Sequence, residues 1–226
     1  RILGDRIRKW YIKEKEEKKN GASLTKNNKN KRLKMMYTNI DEVLSSKLEL
    51  RDYIKKEKPD IVCLVETNLS EAILIDMDNR YNRWRRDRVG KGGGGGGGVM
   101  MMLRKEMVVN QVECGEGNAK VLYITIQINK KELTIIVTYV SPKTNSWTNQ
   151  EYKDMIDDTI RSQTRIIKER RKVILVGDFN CKEVNWENYE SGMGEEAWGE
   201  RFLNLMIDNM MDQRVKSKVK HKIQRK

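Results

Sequence analysis

The chain contains no run of about 18 apolar residues, so no segment of it reads as a membrane span and no membrane is expected as a partner. It opens with Arg1-Ile2-Leu3-Gly4-Asp5 and then charge, with neither an initiator Met nor the apolar stretch of a secretory signal; the expectation is a piece cut from a longer chain. Cysteine is scarce. Cys63, Cys114 and Cys181 stand far apart, without a CxxC pair or a nearby histidine, so neither a zinc site nor a disulfide framework is indicated. Such usage suits a reducing intracellular compartment. No GxGxxG opens a helix and the glycine run does not end in GKS or GKT, so no nucleotide fingerprint and no small-molecule cofactor are expected. Histidine occurs once, as His221 within Lys218-Val219-Lys220-His221-Lys222, surroundings that read as an exposed tail.

What is present is 226 residues, 38% hydrophobic and 35% charged, enough for one packed domain with polar extensions. The net charge of +13 is unevenly spread. Residues 1–34 hold 13 Lys/Arg against 4 Asp/Glu, residues 213–226 hold 7 Lys/Arg and no acid, and the body between them is left at −3. Basic ends on a mildly acidic body suit a polyanionic partner, because Lys and Arg displace counterions from phosphate backbones. Charge runs also occur simply as solvated tails.

Along the chain, a short helix is expected between Trp10 and Glu17, and residues 26–31 read as linker. From residue 33 the character changes: Lys34-Met35-Met36-Tyr37-Thr38-Asn39-Ile40 predicts a first strand ending in Asn39. Ser45 or Ser46 is placed to cap a helix with Leu48, Tyr53 and Ile54 on one side, and Pro59 closes it. Asp60-Ile61-Val62-Cys63-Leu64-Val65-Glu66-Thr67 is the continuous apolar run of a fully buried strand, with a carboxylate at its last side chain but one. Residues 80–88 set five arginines around Tyr81 and Trp84. Beside nucleic acid such a segment pairs with phosphates and stacks on bases, making Arg83, Arg85 and Arg86 candidate contacts; otherwise it is a solvated edge strand.

Residues 92–98 are seven glycines, read as a flexible loop entering the strand Val99-Met100-Met101-Met102-Leu103. Residues 121–128 and 133–140 predict two strands joined in hairpin fashion by Asn129-Lys130-Lys131, with Leu122, Ile124, Ile126 and Ile128 forming one apolar face and Pro142 stopping the second strand. Tyr152, Met155, Ile156, Ile160, Ile166 and Ile167 predict the longest helix over residues 149–170. A loop-like stretch runs from Asn180 to Gly194, then Trp198, Phe202, Leu205 and Met206 mark one more amphipathic helix, and residues 210–215 are expected to begin a strand.

Val173-Ile174-Leu175-Val176-Gly177-Asp178-Phe179-Asn180 is a buried strand running into a polar exit. Positions i and i+2 share a face, so Asp178 and Asn180 can address one substrate atom, although a β-turn chosen for Asp and Asn chemistry explains the same letters. Three other strand ends also carry polar groups: Asn39, Glu66 and Tyr139. A fold that aligns those ends on one rim collects two carboxylates, two carboxamides and a phenol. Such an oxygen-rich set suits a hard divalent cation, Mg²⁺ with Mn²⁺ as the alternative, which leaves coordination positions for water and substrate phosphate.

Thr38-Asn39, Val65-Glu66-Thr67, the glycine-rich approach to Val99, Tyr139-Val140-Ser141-Pro142 and Gly177-Asp178-Phe179-Asn180 together resemble the endonuclease/exonuclease/phosphatase superfamily, especially the endonuclease domain of non-LTR retrotransposon polyproteins, over roughly residues 33–215. The resemblance implies an α/β fold of two packed, mostly antiparallel sheets flanked by helices, a four-layer sandwich, with residues 1–32 as a basic flexible extension and 216–226 as a basic tail. It implies a metal-dependent phosphodiesterase that nicks DNA and acts in the nucleus. Glu66 would then be the principal metal ligand and Asn39 its neighbour; Asp178 would orient or deprotonate the attacking water, Asn180 would hold the scissile phosphate or that water, and Tyr139 would hydrogen-bond the phosphate or help the leaving oxygen. One departure stands out. The family's final strand ends in Ser-Asp-His, a triplet this sequence lacks, so the expected domain is missing its last strands and its activity is expected to be weak or absent. The competing reading is a decayed, non-catalytic fragment that keeps nonspecific nucleic-acid binding through its basic ends. A third keeps the fold and changes the substrate to phosphoinositide or sphingomyelin.

Overall fold

The computed structural model describes residues 8–12, 33–87, 97–192 and 194–212. The linker at 26–31, residues 92–96 of the glycine run, His221 and the basic tail lie outside the described residues.

Two β-α-β crossovers frame the architecture. In the first, β2 (Leu33–Asn39) and β3 (Ile61–Val65) pair in parallel across α1 (Lys47–Glu57), with Asn39 opposite Val65. In the second, β8 (Lys131–Tyr139) and β9 (Val173–Asp178) pair in parallel across α2 (Asn149–Glu169), with Tyr139 opposite Asp178. The remaining strands are antiparallel: β1 (Arg8–Ile12) on β2, β5 (Val99–Arg104) on β3 and β4 (Tyr81–Arg86) on β5 complete a sheet of order β1-β2-β3-β5-β4. β6 (Val108–Cys114) and β7 (Lys120–Ile128) complete the second sheet, of order β6-β7-β8-β9. A short ribbon of β10 (Val184–Asn185) and β11 (Glu190–Ser191) precedes α3 (Trp198–Asp208). Among the described residues no helix is long and apolar enough to cross a membrane.

The period-2 side-chain alternation explains why β3 and β5 are continuous apolar runs. Ile61, Cys63 and Val65, with Val99, Met101 and Leu103, face Leu122, Ile124, Ile126, Ile135 and Val137 of the second sheet. Val62, Leu64, Met100 and Met102 face outward against Leu50 and Ile54 of α1. On the far side Val121, Tyr123 and Ile136 pack on Met155, Ile156, Phe202 and Leu205 of α2 and α3. Four layers result, the expected α/β sandwich, and burying each such side chain stabilises it by roughly 1.5–3 kcal/mol before entropy is counted. β7 therefore buries both faces, where its sequence pattern pointed to one. The β7–β8 hairpin turns on Asn129 and Lys130, both left-handed at φ 47 and 66, the conformation that matches strand twist in a two-residue loop.

Several local expectations change in the fold. Where a helix was expected from Trp10, residues 8–12 form β1, because the open edge of β2 offers a ladder of backbone partners that an isolated short helix lacks. Ser46 precedes α1 but its side chain caps nothing, while the Ser45 hydroxyl donates to the Glu42 carbonyl; Leu48, expected on the apolar side, is 75% exposed, and Leu50 takes its place beside Ile54. β6 has no counterpart in the sequence reading. As an edge strand it is half-exposed and broken by an irregular register between Val109 and Gln111, which blurs its alternation. Met210, Met211 and Asp212 are not strand, and residues 213–215 are outside the described set.

Candidate active site

Because both crossovers are parallel, the C-terminal ends of β2, β3, β8 and β9 emerge on one rim, and the sheets are close enough for β2 to contact β9 and for β3 to contact β8. All five site residues expected from the sequence converge there. Asn39 Nδ2 donates to Asp178 Oδ2 at 3.0 Å, and the Asn180 amide donates to Asp178 Oδ1 at 3.3 Å. The Tyr139 phenol donates to Glu66 Oε1. Tyr139 and Asp178 are neighbours across the β8–β9 ladder, which joins the trio of Asn39, Asp178 and Asn180 to the pair of Tyr139 and Glu66. Asn180 Nδ2 is tied to the Val140 carbonyl at 2.8 Å, fixing the turn after β9.

Tyr139 is 2% exposed while Asn39, Glu66, Asp178 and Asn180 are half-buried around it. Burial first, and the Glu66 carboxylate second, push the phenol far above its usual range. Tyr139 therefore keeps its proton at any physiological pH and serves as a hydrogen-bond donor.

The backbone at this rim is unusual. Glu66 and Asn180 have φ of 55 and 46, and Asp41, Glu42 and Asn68 beside them have φ of 50, 78 and 53. Non-glycine residues in the left-handed region cost on the order of 1–3 kcal/mol each and persist where surrounding contacts hold them. Those contacts are visible: the Glu42 amide donates to the Glu66 carbonyl at 2.9 Å, the Val43 amide to Thr67 at 3.1 Å, and the Asn68 amide to Gly97 at 2.8 Å. Gly97 returns a bond from its amide to Asn68 Oδ1 at 2.7 Å, so the end of the glycine run is pinned beside Glu66. The Asp41 amide donates to Asn39 Oδ1 at 3.2 Å and orients that carboxamide.

Support from beneath also escaped the sequence reading. Phe179 stacks on Phe202 with centroids 4.3 Å apart, Trp198 stacks on Phe202 at 5.1 Å, and Trp198 Nε1 donates to the Phe179 carbonyl at 2.5 Å. The turn carrying Asp178 and Asn180 thus rests on an aromatic cluster from α3. Gly177 is fixed by a close approach, since a Cβ there would strike the Thr138 carbonyl of β8.

The arginines of β4 lie on the edge strand of the first sheet. Arg85 donates to the carbonyls of Ile73 at 2.7 Å and of Ser70 and Glu71 at 3.2 Å, and pairs with Asp87 at 3.0 Å. Arg86 donates to the Gly117 carbonyl at 2.5 Å. Arg83 is exposed and lies 3.8 Å from Asp76. In this structure Arg85 and Arg86 tie loops to the sheet, and Arg83 faces solvent.

The donor set can be tested against a divalent cation. Among the described residues no three His, Cys, Asp or Glu side chains form a metal cage. Mg²⁺ needs none, since it is held by one or two carboxylates and keeps several waters. Among the described residues the phenol occupies only Oε1 of Glu66, leaving the second oxygen for a further partner, and the Asn39 carbonyl oxygen retains a lone pair beside its bond from Asp41. Glu66 and Asn39 thus fit a hard cation of that kind.

No curated protein sequence matches the chain. Solved structures of similar fold include the catalytic domain of Xenopus laevis APE2 (16% identity, TM-score 0.54, covering 75% of this chain and 66% of that one). An AP endonuclease from Archaeoglobus fulgidus (18%, 0.52, 78% and 70%) and a 3′ phosphatase, NExo from Neisseria, bound to a product DNA hairpin (14%, 0.52, 76% and 69%) are others. The chain spans about two thirds of the length of each, and at these identities the likeness is one of fold. The Endonuclease/Exonuclease/phosphatase family model matches residues 36–208, a stretch that begins just before Asn39 and ends at the last residue of α3, taking in every residue of the rim. By that match, on this fold, the chain belongs to the Endonuclease/Exonuclease/phosphatase family.

Proposed function

We propose that this protein is a Mg²⁺-dependent phosphodiesterase that nicks DNA, derived from a retroelement endonuclease. The observation that carries the reading is the meeting of Asn39, Glu66, Tyr139, Asp178 and Asn180 from four strand ends on one rim. A divalent cation held by Glu66 and Asn39 would neutralise charge on the phosphate and on the leaving oxygen. Asp178, its two oxygens fixed by Asn39 and Asn180, accepts the proton of a water aligned for in-line attack. Asn180 and the protonated phenol of Tyr139 donate to phosphate oxygens where charge builds in the transition state. DNA as substrate is supported by the DNA-bound neighbour and by the basic ends, and the retroelement origin, with action in the nucleus, by the spelling of the motifs. With no Ser-Asp-His triplet in these 226 residues, slow turnover is the expected outcome. Supercoiled plasmid incubated with the protein and Mg²⁺ should be converted to open circles at a rate that Asp178→Ala removes; equal background from both proteins overturns the reading.

A further inference from the structure

We infer that Lys120 and Ser141 form a positioning pair for Tyr139, a buried ammonium and hydroxyl that hold the phenol in the direction in which it donates. The inference rests on the proposed phosphodiester chemistry only for its kinetic consequence. Lys120 begins β7 directly opposite Tyr139 at the end of β8, so the two side chains rise from the same face. That face is otherwise apolar, continuing through Leu122, Ile124 and Ile126 into the layer between the sheets. A lysine only 9% exposed breaks the pattern at a cost in desolvation, as residues kept for a site do.

The ammonium donates to Ser141 Oγ at 2.9 Å and lies 5.3 Å from the centroid of the Tyr139 ring and 6.0 Å from that of Trp147. Ser141 is itself 4% exposed, and its hydroxyl acts on the phenol against the upward push of burial. The order of donors follows from their chemistry. A lysine ammonium can only donate, so Ser141 accepts from it and keeps its own hydroxyl hydrogen to offer to the phenol oxygen, an arrangement that would leave the hydrogen of Tyr139 directed to Glu66, as it is in the structure. Gly97 lies against the lysine stem: a Cβ there would lie 2.7 Å from Lys120 Cε and 2.9 Å from Cδ, and its φ of +150 is one that favours glycine.

The test uses the full chain with Lys120→Met, Ser141→Ala and the double variant, read in two ways. In plasmid nicking, kcat should fall about tenfold in each single variant with KM unchanged, the double variant should be no slower than the singles, and Ser141→Thr should restore the rate. In 3-fluorotyrosine-labelled protein, with the Tyr139 signal assigned through Tyr139→Phe, the ¹⁹F resonance should move in both singles, and Lys120→Met should add no further shift to Ser141→Ala. Multiplicative kinetic losses, or a Tyr139 resonance that stays in place in both singles, would overturn the pair. If wild type shows no Mg²⁺-dependent nicking, the proposed function falls and the ¹⁹F arm decides on the pair by itself.

Discussion

A phenol buried against a carboxylate keeps its proton, and this fixes the part Tyr139 can play. It donates to Glu66, and in the proposed mechanism to a phosphate oxygen of the substrate, and its raised pKa leaves it no part as a base. Tyr139→Phe should therefore lower kcat by about 10²-fold, the usual cost of one lost donor to a developing charge. Glu66→Gln should remove measurable turnover, because an amide oxygen is a poor substitute for the carboxylate toward Mg²⁺; single-turnover nicking measures both. A second carboxylate, away from the rim, gives a pH signature. The Arg80 guanidinium, 2.6 Å away, holds the Asp78 carboxyl at about 2, below its value of 3.8 in an unstructured chain. The folded state thus gains stability that is fully present above pH 3.8 and disappears as pH falls through 2. With Arg80 partly in water the gain is discounted to roughly 1 kcal/mol. Asp78→Asn should lose about that much in urea unfolding at pH 7 and converge with wild type near pH 2.

At the scale of elements, what was legible in the sequence and what was not separates cleanly by physical cause. β3, buried on both faces, and β9, half-buried at the edge of its sheet, both announce themselves as apolar runs, and the polar residue that ends each one is conspicuous, which is why Glu66 and Asp178 could be picked out. The length of α2 was legible from its apolar period, and its start is secured by a capping box in which Thr148 and Glu151 exchange bonds. Thr148→Ala should cost about 1 kcal/mol in thermal unfolding without affecting nicking. What stayed hidden depends on partners distant in sequence. β1 exists because β2 has an edge, β6 is irregular against β7, and the turn of Asp178 and Asn180 is propped by Trp198 and Phe202 of α3. Lys120 lies just outside the strand read from the sequence at residues 121–128, and its place needed the register that sets it against Tyr139. Gly177 belongs to the same class. Gly177→Ala should destabilise the fold by about 1–3 kcal/mol, the cost of overpacking, and should depress nicking further by displacing Asp178; chemical denaturation beside the plasmid assay separates the two losses.

The charge of the whole molecule is divided between a mildly acidic central body and strongly basic ends. Two parallel crossovers inside otherwise antiparallel sheets bring four strand ends to one edge of the sandwich, and the apolar layer between the sheets holds those ends in place. The same layout leaves β9, the strand that carries Asp178, at the edge of its sheet among the described residues, with Val173, Ile174 and Leu175 half-exposed. Affinity for DNA should come largely from the ends and fall with salt, whereas cleavage should depend on the rim. The most direct test of that assignment is the initial rate of supercoiled-plasmid nicking by wild type, Glu66→Gln and Asp178→Ala, each with Mg²⁺ and with excess chelator, all three confirmed as folded by circular dichroism. The expected result is a slow, Mg²⁺-dependent rate in wild type alone, abolished by chelator and by either substitution; equal rates in the three proteins, or a wild-type rate indifferent to chelator, would contradict the account.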